Sequence, residues 1–146
     1  MSLDTPIDIS TDKSKLNLDF LHAELSQQYW SLGIPRATVE QVIANSLCFG
    51  VYLTESQQQI GFARVTTDFA TFAYLADVFI QTDYQGRGYA KTLIAAIKAH
   101  PDLQGLRRWM LITRDAHNLY KQFGFTPLAN PGRAMEITQP NIYQTP

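Results

Sequence analysis

The sequence predicts an α+β domain in which a mostly antiparallel sheet is flanked by helices, and three observations carry that expectation. Amphipathic helical periods come first, three closely spaced strand-like runs follow, and helix and strand then alternate toward the C-terminus. The 146 residues are 45% hydrophobic and 17% charged, an ordinary globular composition that argues against disorder. A chain near this length buries roughly 68–70% of its unfolded surface, so a real core is within reach. Residues 1–146 read as one domain, without repeat, low-complexity tract or linker.

Each element has its own local signal. Ile7 and Ile9 alternate within a polar start and suggest an edge strand. Asn17 is placed to cap a helix with Leu18, Leu21, Leu25 and Tyr29 on one face, and Asp19 suits its electropositive first turn. Gly33 and Pro35 end that pattern, and a second helix over about residues 36–45 puts Val39, Val42 and Ile43 together. Strand composition follows in Leu47–Leu53, Ile60–Thr67 and Phe72–Ile80, separated by polar turns, which reads as an antiparallel meander.

The next helix carries Ala90, Leu93, Ile94 and Ile97 on one stripe and stops at His100-Pro101. Trp109–Thr113 reads as another strand. Asp115 is placed to cap a last helix bearing Ala116, Leu119, Tyr120 and Phe123, with Gly124 as its left-handed stop. Met135–Ile137 and Asn141–Tyr143 are expected to add one or two short strands, whose pairing could make a homodimer.

Composition also narrows the partners. A formal net charge of −1 and the lack of a basic run give no support to a nucleic-acid partner. Cys48 is the only cysteine, so no intrachain disulfide or cysteine-based zinc site is expected, and the histidines have no metal-ligand spacing. No signal-peptide pattern or membrane-length apolar run occurs, so the expectation is a cytoplasmic protein with neither metal nor membrane partner.

The most informative stretch is Asp77–Ala90, where an apolar strand enters a turn containing Gly86 and Gly88 and then an amphipathic helix. Glycines let backbone approach an anion closely, and the unpaired N–H groups of a new helix point at it. Two glycines after a strand more often mark only a tight turn. A second segment sharpens the reading. Gln85-Gly86-Arg87-Gly88-Tyr89-Ala90 resembles the acetyl-CoA-binding motif of the GCN5-related N-acetyltransferases (GNAT), and Ala116-His117-Asn118-Leu119-Tyr120-Lys121-Gln122-Phe123-Gly124-Phe125 resembles their Ala-x-x-x-Tyr-x-x-x-Gly-Phe helix and following strand.

The resemblance implies the GNAT fold, with a splayed strand pair that binds acetyl-CoA as cosubstrate. It implies transfer of an acetyl group to a primary amine of a small molecule or peptide, by direct attack in a ternary complex. Cofactor contacts are implied at Val78, Phe79, Ile80, Gln85, Gly86, Arg87, Gly88, Tyr89 and Ala90, and at Thr113 where the family often has Asn. The Val78 N–H is implied as oxyanion donor. On the residues alone Tyr120 reads as a core aromatic on the stripe of Phe123; the resemblance makes it the acid that protonates the departing thiolate.

Acceptor-binding candidates are Tyr29, Trp30, Arg64, Phe72 and Tyr74. In a regular strand Phe72, Tyr74, Ala76, Val78 and Ile80 share one face, with Ala73, Leu75, Asp77 and Phe79 on the other. Asp77 is a carboxylate inside an apolar strand and needs a partner or a purpose. Two readings stand for it: a catalytic base brought into the cleft by a bulge, or a structural hydrogen bond. A rival to the enzyme is a CoA-binding regulatory module that has kept the fold without turnover.

Overall fold

Five strands in chain order form one mixed sheet, β1-β2-β3-β4-β5, antiparallel except for the parallel pair β4–β5. The computed structural model describes residues 5–144. Its elements are β1 (Ile7–Ser10), α1 (Leu18–Leu25), α2 (Arg36–Ala44), β2 (Leu47–Leu53), β3 (Gln59–Thr67), β4 (Phe72–Ile80), α3 (Tyr89–Ala99), β5 (Arg108–Met110) and α4 (His117–Lys121). Polar turns join the meander; at Asp68 one carboxylate oxygen accepts the N–H groups of Ala70, Thr71 and Phe72.

Helices cover both faces. On one, Leu93, Ile94 and Ile97 of α3 pack with Val51, Ile60, Val65 and Leu75 of the sheet and with Tyr120 of α4. On the other, Leu21 and Leu25 of α1 and Val39 of α2 enclose Cys48, Phe62 and Phe79. The alternation of side chains along strands sends the apolar set of the meander to these two cores.

The regular-strand parity expected for β4 fails at one place. Arg64 pairs with Ala76 but Phe62 pairs with Phe79, so β4 holds one residue more than β3 over that interval. This is a bulge, with Asp77 in left-handed conformation at φ 55°. Beyond it the faces exchange. Ile80 joins Leu75 in the α3 core, while Phe79 turns toward α1, 6.2 Å from the Phe62 ring.

Four other expectations need correction. α1 ends at Leu25, which leaves Tyr29 in the turns that follow, where the Gln27 and Gln28 N–H groups bond the carbonyls three residues back, at Glu24 and Leu25. β5 stops at Met110, since Leu111–Thr113 diverge from β4. α4 is held by the Thr113 hydroxyl, which accepts the Ala116 N–H at 3.1 Å, whereas Asp115 lies 3.5 Å from Arg114. No strand forms at Met135–Ile137 or Asn141–Tyr143. Pro140 between the two runs has no ladder donor, and among the described residues neither run pairs with a strand.

Leu93 is fully buried at the centre of the α3–sheet contact. Leu93→Ala is expected to destabilise the fold by about 2–5 kcal/mol, read from urea denaturation midpoints at unchanged slope.

Candidate active site

β5 pairs with β4 only over Phe72–Tyr74, so Leu75–Ile80 faces an opening with no strand on that side. Two clefts meet in this opening. One, of about 610 Å³, runs from Val78–Ile80 past the glycine turn to the start of α3 and is closed by Leu119 and Tyr120 of α4. The other, of about 360 Å³, is lined by Tyr29, Trp30, Arg64, residues 74–78 and residues 111–113. Val78 and Tyr120 line both.

The glycine turn forms as the local sequence dictates. Gln85 donates its side-chain amide to the Ile80 carbonyl at 2.8 Å, which folds the chain back at the end of β4. Gly86 and Gly88 take φ of 79° and 82°, and a Cβ at either would meet open space. Gly88 precedes α3 with no side-chain cap, so the first-turn N–H groups remain available to an anion. Lys91 lines the same cleft and adds a cation. Backbone amides, helix dipole and lysine together fit a pyrophosphate.

The other cleft is organised by Asp77. The bulge brings its carboxylate to the α1 side, where Oδ1 accepts the Trp30 indole N–H at 2.6 Å and Oδ2 accepts the Arg64 Nε–H at 2.5 Å. Arg64 also donates through Nη1 to the Thr66 hydroxyl at 3.1 Å. Tyr29 anchors the same loop to the start of α4: its hydroxyl accepts the Arg114 N–H at 3.2 Å, and the Arg114 guanidinium lies 3.9 Å from its ring centroid. Loop 26–33 is therefore tied to β4 at one residue and to the approach to α4 at the next.

Tyr120 is 8% exposed, and no protein group among the described residues bonds its hydroxyl. Burial, with a smaller contribution from Tyr29, pushes its phenol up to about 12. It holds its proton across the neutral range. Burial also raises the Tyr74 phenol, with Arg64 opposing and Asp77 and Glu136 adding. The Cys48 thiol lies in the α1 core, where burial pushes it up to about 11 and keeps the nucleophilic thiolate scarce. Among the described residues no group of three His, Cys, Asp or Glu side chains could hold a metal ion, and no helix is long and apolar enough to cross a membrane.

Most of the sequence-predicted residues converge on the opening: Tyr120, Val78, Asp77, Tyr29, Trp30, Arg64 and Tyr74 at the junction, with Phe79, Ile80, Gln85, Gly86, Gly88, Tyr89 and Ala90 along the larger cleft. Four have contacts or placements that the sequence did not indicate. Phe72, at the start of β4, lines neither cleft. Arg87 lies over the Tyr84 ring at 5.3 Å, beside the turn. The Tyr89 hydroxyl bonds the Thr5 carbonyl at 2.5 Å, so its side chain serves the core. Thr113 lines the smaller cleft while its hydroxyl caps α4.

Lys91, Arg114 and Leu119 were not anticipated. Lys91 had a readable signal, because a cation in a first helical turn opposes the dipole unless an anion sits there. Arg114 had none, since its placement depends on Tyr29, 85 residues away.

The comparisons with known proteins agree with this geometry. Residues 45–127 match the family described as acetyltransferase (GNAT) domain, and the chain belongs to that family. An acetyltransferase-named protein of Gibberella zeae is 32% identical over 133 residues, 77% of this chain and 74% of the relative. A crystal structure from Xanthomonas campestris pathovar campestris, assigned to the GNAT acetyltransferases, is 49% identical, superposes with a TM-score of 0.93 and covers 97% of this chain and 100% of that one. A Clostridium acetobutylicum protein crystallised with acetyl-CoA shares the fold at 16% identity, with a TM-score of 0.64 over 92% of this chain and 96% of its own.

Asp77→Ala would leave Arg64 without its partner and free the Trp30 indole. The expected outcome is a loss of about 1–3 kcal/mol of stability, with greater acrylamide quenching of tryptophan fluorescence. Unchanged quenching would show that loop 26–33 does not depend on Asp77.

Proposed function

We propose that this chain is an acetyl-CoA-dependent N-acetyltransferase that acetylates a primary amine of a small molecule or peptide by direct attack in a ternary complex. The observation that carries the reading is the meeting of the two clefts at Val78 and Tyr120. Acetyl-CoA, when bound, supplies an activated acyl group on a thiol leaving group. The larger cleft is where its pyrophosphate fits, held by the amides of residues 85–90, the α3 dipole and Lys91. The side of β4 left open over Val78–Ile80 is where the pantetheine arm would run, with the Ile80 carbonyl already accepting the Gln85 amide.

Residues of this chain then divide the work. The Val78 N–H stabilises the developing oxyanion. Tyr120 donates its proton to the departing thiolate; its raised phenol keeps that proton available, and general acid catalysis of this kind contributes about 10²–10⁴-fold. The acceptor lies in the smaller cleft among Tyr29, Trp30, Arg64 and Tyr74. Asp77 acts as a positioning residue there, because each carboxylate oxygen already accepts a hydrogen bond from Trp30 or Arg64. The amine, an ammonium ion near neutral pH, loses its proton to water. Cys48, buried away from both clefts, carries no acyl group.

The decisive experiment follows free-thiol release from acetyl-CoA on addition of amines, amino acids and peptides. Amine-dependent release supports the enzyme; CoA binding without release from any acceptor favours the regulatory module.

Tyr120→Phe is expected to lower kcat about 10²-fold while CoA affinity by calorimetry stays nearly unchanged. In the wild type the acid should remain competent through pH 10, since its phenol titrates near 12 and loses its proton only as pH rises through that value. A basic limb at the ordinary phenol value, present in wild type and absent in Tyr120→Phe, would contradict this. Gly88→Glu should weaken CoA binding by strain at φ 82° and by charge in the anion cradle, and undiminished binding in a folded variant would displace the cradle.

A further inference from the structure

One carboxylate stands where the two clefts meet and has almost no partner of its own. Tyr29, Trp30, Val78, Asp115, Ala116 and Tyr120 line both clefts, so Asp115 shares the junction with Val78 and Tyr120. Among the described residues that line either cleft, Asp77 and Asp115 are the only carboxylates, and no histidine is present. Asp77 is engaged at both oxygens, by Trp30 and by Arg64. Asp115 is free.

Its freedom has a local cause. The sequence places Asp115 to cap α4, but the Thr113 hydroxyl accepts the Ala116 N–H instead, and the helix has no other side-chain cap. The carboxylate is left with one contact, from Arg114 Nη2 to Oδ2 at 3.5 Å, the outer limit of a hydrogen bond. The two side chains are 64% and 67% exposed, so this pair contributes little. Oδ1 has no partner among the described residues.

The surroundings of this carboxylate suit a cation. Tyr29 and Trp30 meet edge to face at 5.0 Å and are 46% and 37% exposed, which leaves ring surface open at the junction. Aromatic faces attract ammonium groups, and a carboxylate adds charge-assisted hydrogen bonds. The chain already seats a cation in this corner, because the Arg114 guanidinium lies 3.9 Å from the Tyr29 ring centroid while reaching toward Asp115. The other cations of the clefts are committed elsewhere. Arg64 is bound to Asp77, and Lys91 lies along the larger cleft with the glycine turn.

We propose that Asp115, with the Tyr29 and Trp30 rings, seats the acceptor in its ammonium form, so that the accepted class is basic alkylamines protonated at pH 7 rather than anilines or alcohols. The inference rests on the acetyl-transfer reading and names which acceptors reach that step. An ammonium held at Asp115 stands beside Val78 and Tyr120, where it gives its proton to water before attack. Anilines and hydroxyl groups bring no positive charge for the carboxylate at this pH. Asp115 is thereby a substrate-binding residue, whereas both oxygens of Asp77 are committed to Trp30 and Arg64.

The test titrates benzylamine, protonated at pH 7, and neutral benzyl alcohol into the full chain while heteronuclear NMR follows the Trp30 indole N–H; it needs no acetyl transfer. Benzylamine is expected to bind about tenfold more tightly than benzyl alcohol. In Asp115→Asn that preference should vanish and in Asp115→Glu it should remain, with circular dichroism unchanged in both. Equal affinities or no binding in the wild type, or a cation preference that persists in Asp115→Asn, would overturn the proposal. Thiol release from acetyl-CoA is then compared for benzylamine and aniline. The expected result is release with benzylamine alone, its kcat/KM lowered about tenfold by Asp115→Asn; release favouring aniline would overturn the acceptor class. Absence of release with every amine, beside an intact cation preference, counts against acetylation itself and leaves the ammonium seat at Asp115 standing.

Discussion

The bulge at Asp77 sets the faces of β4, and both clefts depend on that setting. One additional residue in the strand lets Leu75 and Ile80 pack into the α3 core although their numbers differ by an odd count, and Phe79 can fill the α1 core beside Phe62. The residue at the bulge takes a left-handed backbone that costs on the order of 1–2 kcal/mol for a side chain with a Cβ. Its carboxylate offsets that cost through two hydrogen bonds, one charge-assisted, in a nearly buried position. Strain, parity and polar satisfaction are therefore solved by the same residue.

Charge is divided across the opening. The larger cleft has an uncapped helix N-terminus, open backbone at two glycines and Lys91, all of which favour an anion. The smaller cleft has Arg64 matched to Asp77, Asp115 in its lining and the aromatic side chains of Tyr29, Trp30 and Tyr74. Between them stands the apolar surround of Tyr120, where low polarity keeps a phenol protonated. The two sides of Val78 therefore differ in their electrostatic environment.

Loop 26–33 is the wall these clefts share, and it has little secondary structure of its own. Two aromatic side chains hold it, Tyr29 to Arg114 and Trp30 to Asp77. The arrangement makes the shape of the smaller cleft depend on contacts between segments far apart in the chain, while the glycine turn is built from a continuous stretch.

That contrast explains how much was legible in advance. The sequence by itself determined the order of most elements and the glycine turn, because periodicity, capping and left-handed turns act over a few residues and leave their marks locally. It also placed Tyr120 and Gly86–Gly88 through two motifs of continuous sequence. Tertiary structure alone decided the face exchange at Asp77, the pairing of Asp77 with both Trp30 and Arg64, the engagement of Thr113 as a cap, and the exposure of Met135 and Ile137. A bulge is one residue of register between two strands, and register is a relation between segments that neither segment records. The exposure of Met135 and Ile137 likewise depends on where the rest of the chain runs, which neither residue records in its own neighbours.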